Sequence, residues 1–332
     1  MAIPASRKAN PTFFPAELPP AVRPRKTGLT HVLDRLDPLS DDWLRPLARY
    51  IDIVKIGWGL PLLLPREVVR RRVRFYHELG LEVSTGGTLI EHAVVRDRAP
   101  QAIAEAKELG FDIIEVSDGV IEMSPAQIAK LSEEVRSRRL GLLIEVGKKN
   151  PQNQLSLRET VDRVGRAREL NPRKVILESR ESGVGVGIYD GEGVIKWDWV
   201  RSIIADHPPE DLIFEAPQES QQIALMKELG SEVNLGNISL HSVGPLATQR
   251  LGLRGDTFGT IRSSRSVKGP PATKFLYFLL ETYRGLDQSE LVRLSRLPRR
   301  TVQSGLDSLR RQGLVREGVS LLDSRRREYR LT

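Results

Sequence analysis

The feature that most constrains this chain is a rhythm. Eight short aliphatic runs, at 29–33, 51–56, 81–84, 113–116, 142–146, 175–177, 212–214 and 233–235, alternate with longer segments of mixed polarity. Several of those segments carry apolar residues at helical spacing, as in 68–79 and 100–109, and Gly80, Gly110 and Gly230 stand where a helix C-terminus favours glycine. Strands so uniformly apolar must be covered on both faces, which a parallel sheet wrapped in helices achieves. Eight strand–helix units predict an α/β protein built as a (β/α)8 TIM barrel. An open doubly wound sheet is the alternative.

The polar residues fall where a barrel keeps its chemistry, at the C-terminal ends of the strands. Four consecutive runs end with a glutamate, Glu115, Glu145, Glu178 and Glu215, and Lys55 stands inside the second run. Period-2 alternation sets Glu115 with Ser117, Glu145 with Gly147 and Glu178 with Arg180 on one face near the mouth. Unpaired buried charge is costly, so these carboxylates must meet cations, a metal or a ligand. A salt-bridged layer inside the barrel is the purely structural reading. Glycines add a second signal. Gly86 and Gly87 follow the third run, and Arg254 and Gly255 follow the eighth, where backbone N–H groups and a guanidinium would cradle a phosphate. The glycine-rich segment 183–187 lacks the strand–loop–helix setting of a dinucleotide fingerprint and reads as a mobile loop at the mouth. The five histidines have no paired ligand spacing, so zinc is not expected, and His31 and His92 read as structural.

Cysteine is absent, which excludes disulfides, thiolate metal sites and cysteine nucleophiles and suits a reducing cytoplasm. The longest apolar runs, such as 60–64, fall far short of the roughly 20 residues a membrane helix needs. A cytoplasmic protein with no membrane partner is expected. The formal charge of +8 is unevenly spread: residues 261–332 hold 16 Lys and Arg against 7 Asp and Glu, while the first 260 hold 35 against 36. A small basic module is therefore attached to a neutral larger one. The expected division is a flexible Pro-rich arm over 1–27, a barrel over 28–262, a linker over 263–272 and a second domain over 273–332.

Eight segments in order carry a family resemblance. They are Lys55-Ile56-Gly57-Trp58-Gly59, Gly86-Gly87-Thr88-Leu89-Ile90-Glu91, Glu115-Val116-Ser117-Asp118-Gly119, Glu145-Val146-Gly147-Lys148-Lys149 and Glu178-Ser179-Arg180-Glu181-Ser182-Gly183. Then come Phe214-Glu215-Ala216-Pro217 with Gln221 and Gln222, Val233-Asn234-Leu235-Gly236-Asn237-Ile238, and Leu253-Arg254-Gly255-Asp256-Thr257-Phe258-Gly259. Together they resemble the phosphosulfolactate synthase family, lyases of coenzyme M biosynthesis that add sulfite to phosphoenolpyruvate. The resemblance implies a Mg²⁺-dependent (β/α)8 barrel over about residues 28–259, with a homo-oligomer as its assembly. Under it, Glu115, Glu145, Glu178 and Glu215 are the candidate metal ligands, and Lys149, Lys148 and Lys55 the candidate catalytic residues. Lys148 or Lys149 resembles the family's proposed general acid, with Lys149 preferred. Arg180, Arg254, Gly86, Gly87 and Gly255 would bind the phosphate and sulfite anions.

The tail has its own pattern. A helix over 273–283, with Phe275, Leu276, Leu279 and Leu280 inward, precedes a second helix N-capped by Asp287 with Glu290 three residues on. Pro298 opens a third over 299–312, which Gly313 ends. Two strands, 314–321 and 327–331, then flank a basic tip. Three helices and a hairpin make a winged helix, resembling winged-helix transcription regulators. That resemblance offers duplex DNA as partner, through Arg299, Arg300, Thr301, Gln303 and Ser304 on the third helix and Arg325, Arg326 and Arg327 at the wing. Protein docking is the alternative for this module. For the whole chain, the alternative is a regulator whose barrel senses a phosphorylated or sulfonated metabolite without turnover.

Overall fold

The computed structural model describes residues 24–38, 40–258, 267–283, 285–319 and 327–331. The chain divides into two compact units, Met1–Arg262 and Ser263–Thr332. In the first, strands β1 (Thr30–Asp34), β2 (Ile53–Ile56), β3 (Glu82–Thr85), β4 (Ile113–Ser117), β5 (Gly141–Val146), β6 (Lys174–Leu177), β7 (Leu212–Glu215) and β8 (Leu235–Ser239) pair in parallel and close into a barrel. Around it run α1 (Asp41–Leu44), α2 (Leu60–Leu63), α3 (Arg66–Glu78), α4 (Gly87–Val94), α5 (Ala99–Leu109), α6 (Pro125–Ser137), α7 (Leu157–Glu169), α8 (Trp197–Asp206), α9 (Glu219–Leu229) and α10 (Val243–Arg250). This is a TIM barrel.

Local sequence sets the helix starts. Ser124 and Ser156 open α6 and α7, each accepting from the N–H three residues on, at 3.3 and 3.2 Å, while Gln127 and Glu159 reach back to the serine N–H at 2.8 Å. Each reciprocal pair satisfies two N–H groups that a helix start leaves open.

Alternation then sorts the strands. Val32, Val54, Val83, Ile114, Ile144 and Val175 face outward into the large core under the helices, while Ile53, Ile113, Leu143, Ile176 and Ile213 form a separate cluster inside the barrel. That interior plug matters for what stands above it.

One expectation needs correction. The eighth strand is not 233–235 but Leu235–Ser239. The Asn234 side chain accepts from Leu29 N–H at 3.0 Å and donates to the Leu212 carbonyl at 2.8 Å, tying its neighbours together ahead of the ladder. The strand then runs on through Gly236, paired with Glu215 on β7, to Ile238 and Ser239, paired with β1. The segment 183–187 is hydrogen-bonded at both ends. Gln221 Nε2 donates to the Gly183 and Gly193 carbonyls at 2.7 and 3.0 Å, and Gly187 N–H donates to Gln154 Oε1 at 2.9 Å.

The second unit contains α11 (Pro271–Tyr283), β9 (Leu286–Asp287), α12 (Gln288–Ser295), α13 (Arg299–Arg311), β10 (Val315–Val319) and β11 (Arg327–Leu331), its strands ordered β10-β11-β9. Leu276, Leu280, Leu291, Val302, Leu306 and Tyr329 share its core. Phe275, expected inside, is 41% exposed. The buried residues of α11, Thr273, Leu276, Tyr277, Leu279 and Leu280, share one arc, and Phe275 falls just beyond its Leu279 edge. At Gly305 on α13 a Cβ would come 2.5 Å from Leu276 Cδ1, so glycine sets how closely α13 approaches α11. Arg325 and Arg326 lie outside the described residues.

Candidate active site

Two residues beyond each apolar plug residue, alternation returns to the barrel interior, and there the sequence changes character. Ile53, Ile113, Leu143, Ile176 and Ile213 are followed at that spacing by Lys55, Glu115, Glu145, Glu178 and Glu215. An apolar floor thus carries a layer of buried charge at the mouth, and none of these five residues is more than 5% exposed. Lys55 Nζ lies 2.9 Å from Glu215 Oε1 and 3.5 Å from Glu115 Oε2. Lys149 Nζ sits between Glu145 and Glu178, 2.6 Å from Glu145 Oε1 and in contact with Glu178 Oε2.

Backbone donors complete the layer. Gly87 N–H, at the start of α4, donates to Glu115 Oε1 at 2.8 Å, Ser179 N–H to Glu215 Oε2 at 3.0 Å, and Arg180 N–H to Glu178 Oε1 at 2.5 Å. Gly87 must lack a side chain, because a Cβ there would come 2.7 Å from Ser117 Cβ. Gly119 clears the path of Lys149, whose Cγ and Cε would lie 3.1 and 3.2 Å from a Cβ at that position.

Four carboxylates and two ammoniums leave this layer two negative charges in excess if all ionise. The electrostatics answer accordingly. Burial, with help from Glu145 and Glu215, pushes Glu115 up to about 8 against the pull of Lys55. Burial and the neighbouring Glu145 and Glu215 raise Glu178 well above the carboxylate range. Glu145 goes the other way: burial opposes its ionisation, but Lys149 and a hydrogen bond from Glu178 outweigh it. For Lys55 and Lys149 burial is likewise overcome by the surrounding carboxylates, and both are held protonated.

A divalent cation fits this set. Carboxylate oxygens of Glu145, Glu178 and Glu215 lie within 4.8 Å of one another, and all are hard donors. Glu115 itself stands apart from that triad, on Lys55 and Gly87.

Residues 19–256 match the family described as (2R)-phospho-3-sulfolactate synthase (ComA). The chain belongs to that family. Phosphosulfolactate synthase of Methanocaldococcus jannaschii is 38% identical over 238 residues, 70% of this chain and 95% of that protein. The Methanothermobacter thermautotrophicus protein of the same name is 38% identical over 248 residues, 73% and 96% of the two chains. That of Bacillus subtilis is 34% identical over 255, covering 74% and 98%. The match to the synthase family ends before the second unit begins.

Against this synthase fold, the sequence candidates separate. Lys55, Gly86, Gly87, Glu115, Glu145, Lys149, Glu178, Arg180 and Glu215 line one small cavity of about 90 Å³ at the mouth. Lys148 does not. Its ammonium turns outward to the Asp118 carbonyl at 2.6 Å, the Asp118 carboxylate at 3.1 Å and Glu122 at 2.9 Å, because successive residues leaving β5 point to opposite sides. Arg254 is held by Glu219 and by Asp256 at 3.3 Å, beyond α10, and neither it nor Gly255 lines the cavity. Six lining residues were not among the sequence candidates: Leu33, Gly57, Trp58, Thr88, Glu181 and Asn237. All but Leu33 stand inside the segments that carry the family resemblance, which was their one available signal.

Proposed function

We propose that the barrel catalyses the addition of sulfite to phosphoenolpyruvate, and the observation that carries this is the charged layer closing an apolar floor at the mouth. The sulfur lone pair of sulfite forms the new bond to the methylene carbon, and the displaced π electrons move onto the substrate carboxylate. A proton delivered to the adjacent carbon then completes phosphosulfolactate, with the phosphate ester intact. Lys149, kept protonated by Glu145 and Glu178, is the proton donor. Lys55 and Arg180 neutralise the approaching anions, which would otherwise repel each other, and Gly86 and Gly87 bring the N-terminal end of α4 to the cavity. Glu145, Glu178 and Glu215 would hold Mg²⁺, whose contribution when bound is to accept charge developing on the substrate carboxylate.

The test is turnover by the purified full chain with phosphoenolpyruvate, sulfite and Mg²⁺, read as loss of the enol phosphate by phosphorus NMR. Consumption that needs all three supports the synthase. If phosphoenolpyruvate binds but nothing turns over, the barrel is a metabolite sensor.

The second unit supports a further part of this reading: three helices and a three-stranded sheet in winged-helix order, fused to the synthase barrel, bind duplex DNA. Arg299, Arg300 and Ser304 are exposed at the start of α13, with Thr301 half-buried. Gln303 is already engaged, accepting from Gln288 at 2.6 Å and donating to Asp307 at 3.2 Å. Arg327 pairs with Glu317 at 2.6 Å, leaving Arg299 and Arg300 as the main phosphate contacts among the described residues.

A further inference from the structure

Strand β8 contains an irregularity at the mouth. Opposite it on β1, Thr30 pairs with Leu235 and Val32 with Ile238, so one residue on β1 faces two on β8, Gly236 and Asn237. This is a β-bulge. A bulge breaks alternation, and here it turns two successive residues inward. A Cβ at Gly236 would meet Ile213, Glu215 and His31 inside the barrel, yet Asn237 also lines the mouth cavity. Asn237 adopts a left-handed backbone with φ +53° in the middle of a strand. Its Oδ1 is buried without a hydrogen-bond partner. Both features disfavour the fold, and a glycine at 237 would remove both.

What the position supplies in return is a contact to the sixth strand's loop. Asn237 Nδ2 donates to the Arg180 carbonyl at 3.3 Å, which also accepts from Ser179 Oγ at 3.0 Å. Arg180 is itself left-handed, with φ +61°, and its N–H is bound to Glu178. Both ends of the Arg180 residue are thereby fixed, in a conformation that an L-residue leaves when released.

We propose that Asn237 is a positioning residue, clamping the Arg180 backbone so that its guanidinium is presented to the phosphorylated substrate anion. This rests on the synthase reading of the mouth. It assigns to a bulge residue a role in substrate affinity rather than in the chemical step.

The experiment compares wild type with Asn237→Gly, which suits a left-handed backbone and keeps the fold. Phosphoenolpyruvate binding is measured by calorimetry, alongside steady-state kinetics and thermal melting. Expected are an unchanged or raised Tm, about tenfold weaker binding and higher KM, and kcat within about twofold. In an Arg180→Ala background, Asn237→Gly should add no further loss, because the two act as one unit. Asn237→Gly that binds like wild type, or a full additional loss in the Arg180→Ala background, overturns the assignment alone. A wild type that does not bind phosphoenolpyruvate overturns the function reading and this proposal with it.

Discussion

Lys148 and Lys149 are adjacent in sequence and send their ammoniums to opposite sides of the barrel wall, Lys149 to Glu145 at 2.6 Å and Lys148 to the Asp118 carbonyl at 2.6 Å. The same alternation that builds the strand decides which lysine can reach a substrate. Two variants should therefore fail differently. Lys149→Ala is expected to lower kcat per folded molecule by about 10² to 10⁴, and also to lower the Tm, because Glu145 and Glu178 lose the cation they share. Lys148→Ala leaves Asp118 with Arg163 as its remaining ion pair and should destabilise the fold by roughly 3 kcal/mol, read as a lower Tm. The rate per folded molecule should stay within severalfold of wild type. The reverse pattern would make Lys148 the acid.

Glu115 gives a pH prediction. Folded, it keeps its proton up to about 8, against an ordinary 4.5. Below 4.5 folded and unfolded chains both hold the proton, so nothing is lost; above it the unfolded chain releases a proton that the fold must keep, and stability falls as pH rises towards 8. Glu115→Gln mimics the protonated form and can still accept from Gly87 N–H. In metal-free protein its Tm should match wild type near pH 4.5 and exceed it increasingly up to pH 8. A gain independent of pH would show that Glu115 is ionised throughout.

Metal binding should be coupled to protons. Burial and the neighbouring Glu145 and Glu215 push Glu178 well above the usual carboxylate range, and it must be ionised to act as a ligand. Adding Mg²⁺ to weakly buffered apoprotein at pH 7 should release protons, measurable with an indicator dye, and affinity should weaken as pH falls. Glu178→Gln should abolish most of the release. Binding without proton release would remove Glu178 from the ligand set.

Much of the site was legible because five strands repeat one pattern, an aliphatic residue followed two positions later by a charge, and period 2 alone places both inside a barrel. Asn237 was not legible for the opposite reason. The bulge inserts a residue that no periodicity announces, and with Gly236 inward the alternation rule sends Asn237 to the helices. Arg254 was singled out because an arginine beside glycines resembles a phosphate loop, and its partner in the structure, Glu219, is distant in sequence and has no local signal. Phe275 shows that composition marks an element as helical more securely than it fixes which edge of the apolar arc is covered.

The DNA reading predicts a salt signature. If the full chain binds duplex DNA through the second unit, log affinity should fall linearly with log salt at about 0.9 per phosphate neutralised. Arg299→Ala with Arg300→Ala removes two exposed cations at the start of α13 and should flatten that slope by about 1.8, equally on all sequences. Ser304→Ala, at an exposed position one turn further along, removes a hydroxyl and no charge, so it should alter preference among sequences and leave the slope alone. The two effects separate phosphate contact from base reading on one helix, using fluorescence anisotropy at several salt concentrations. A slope unchanged by the double arginine variant would place DNA binding elsewhere. Absence of binding even at low salt would leave α13 as a protein-docking surface.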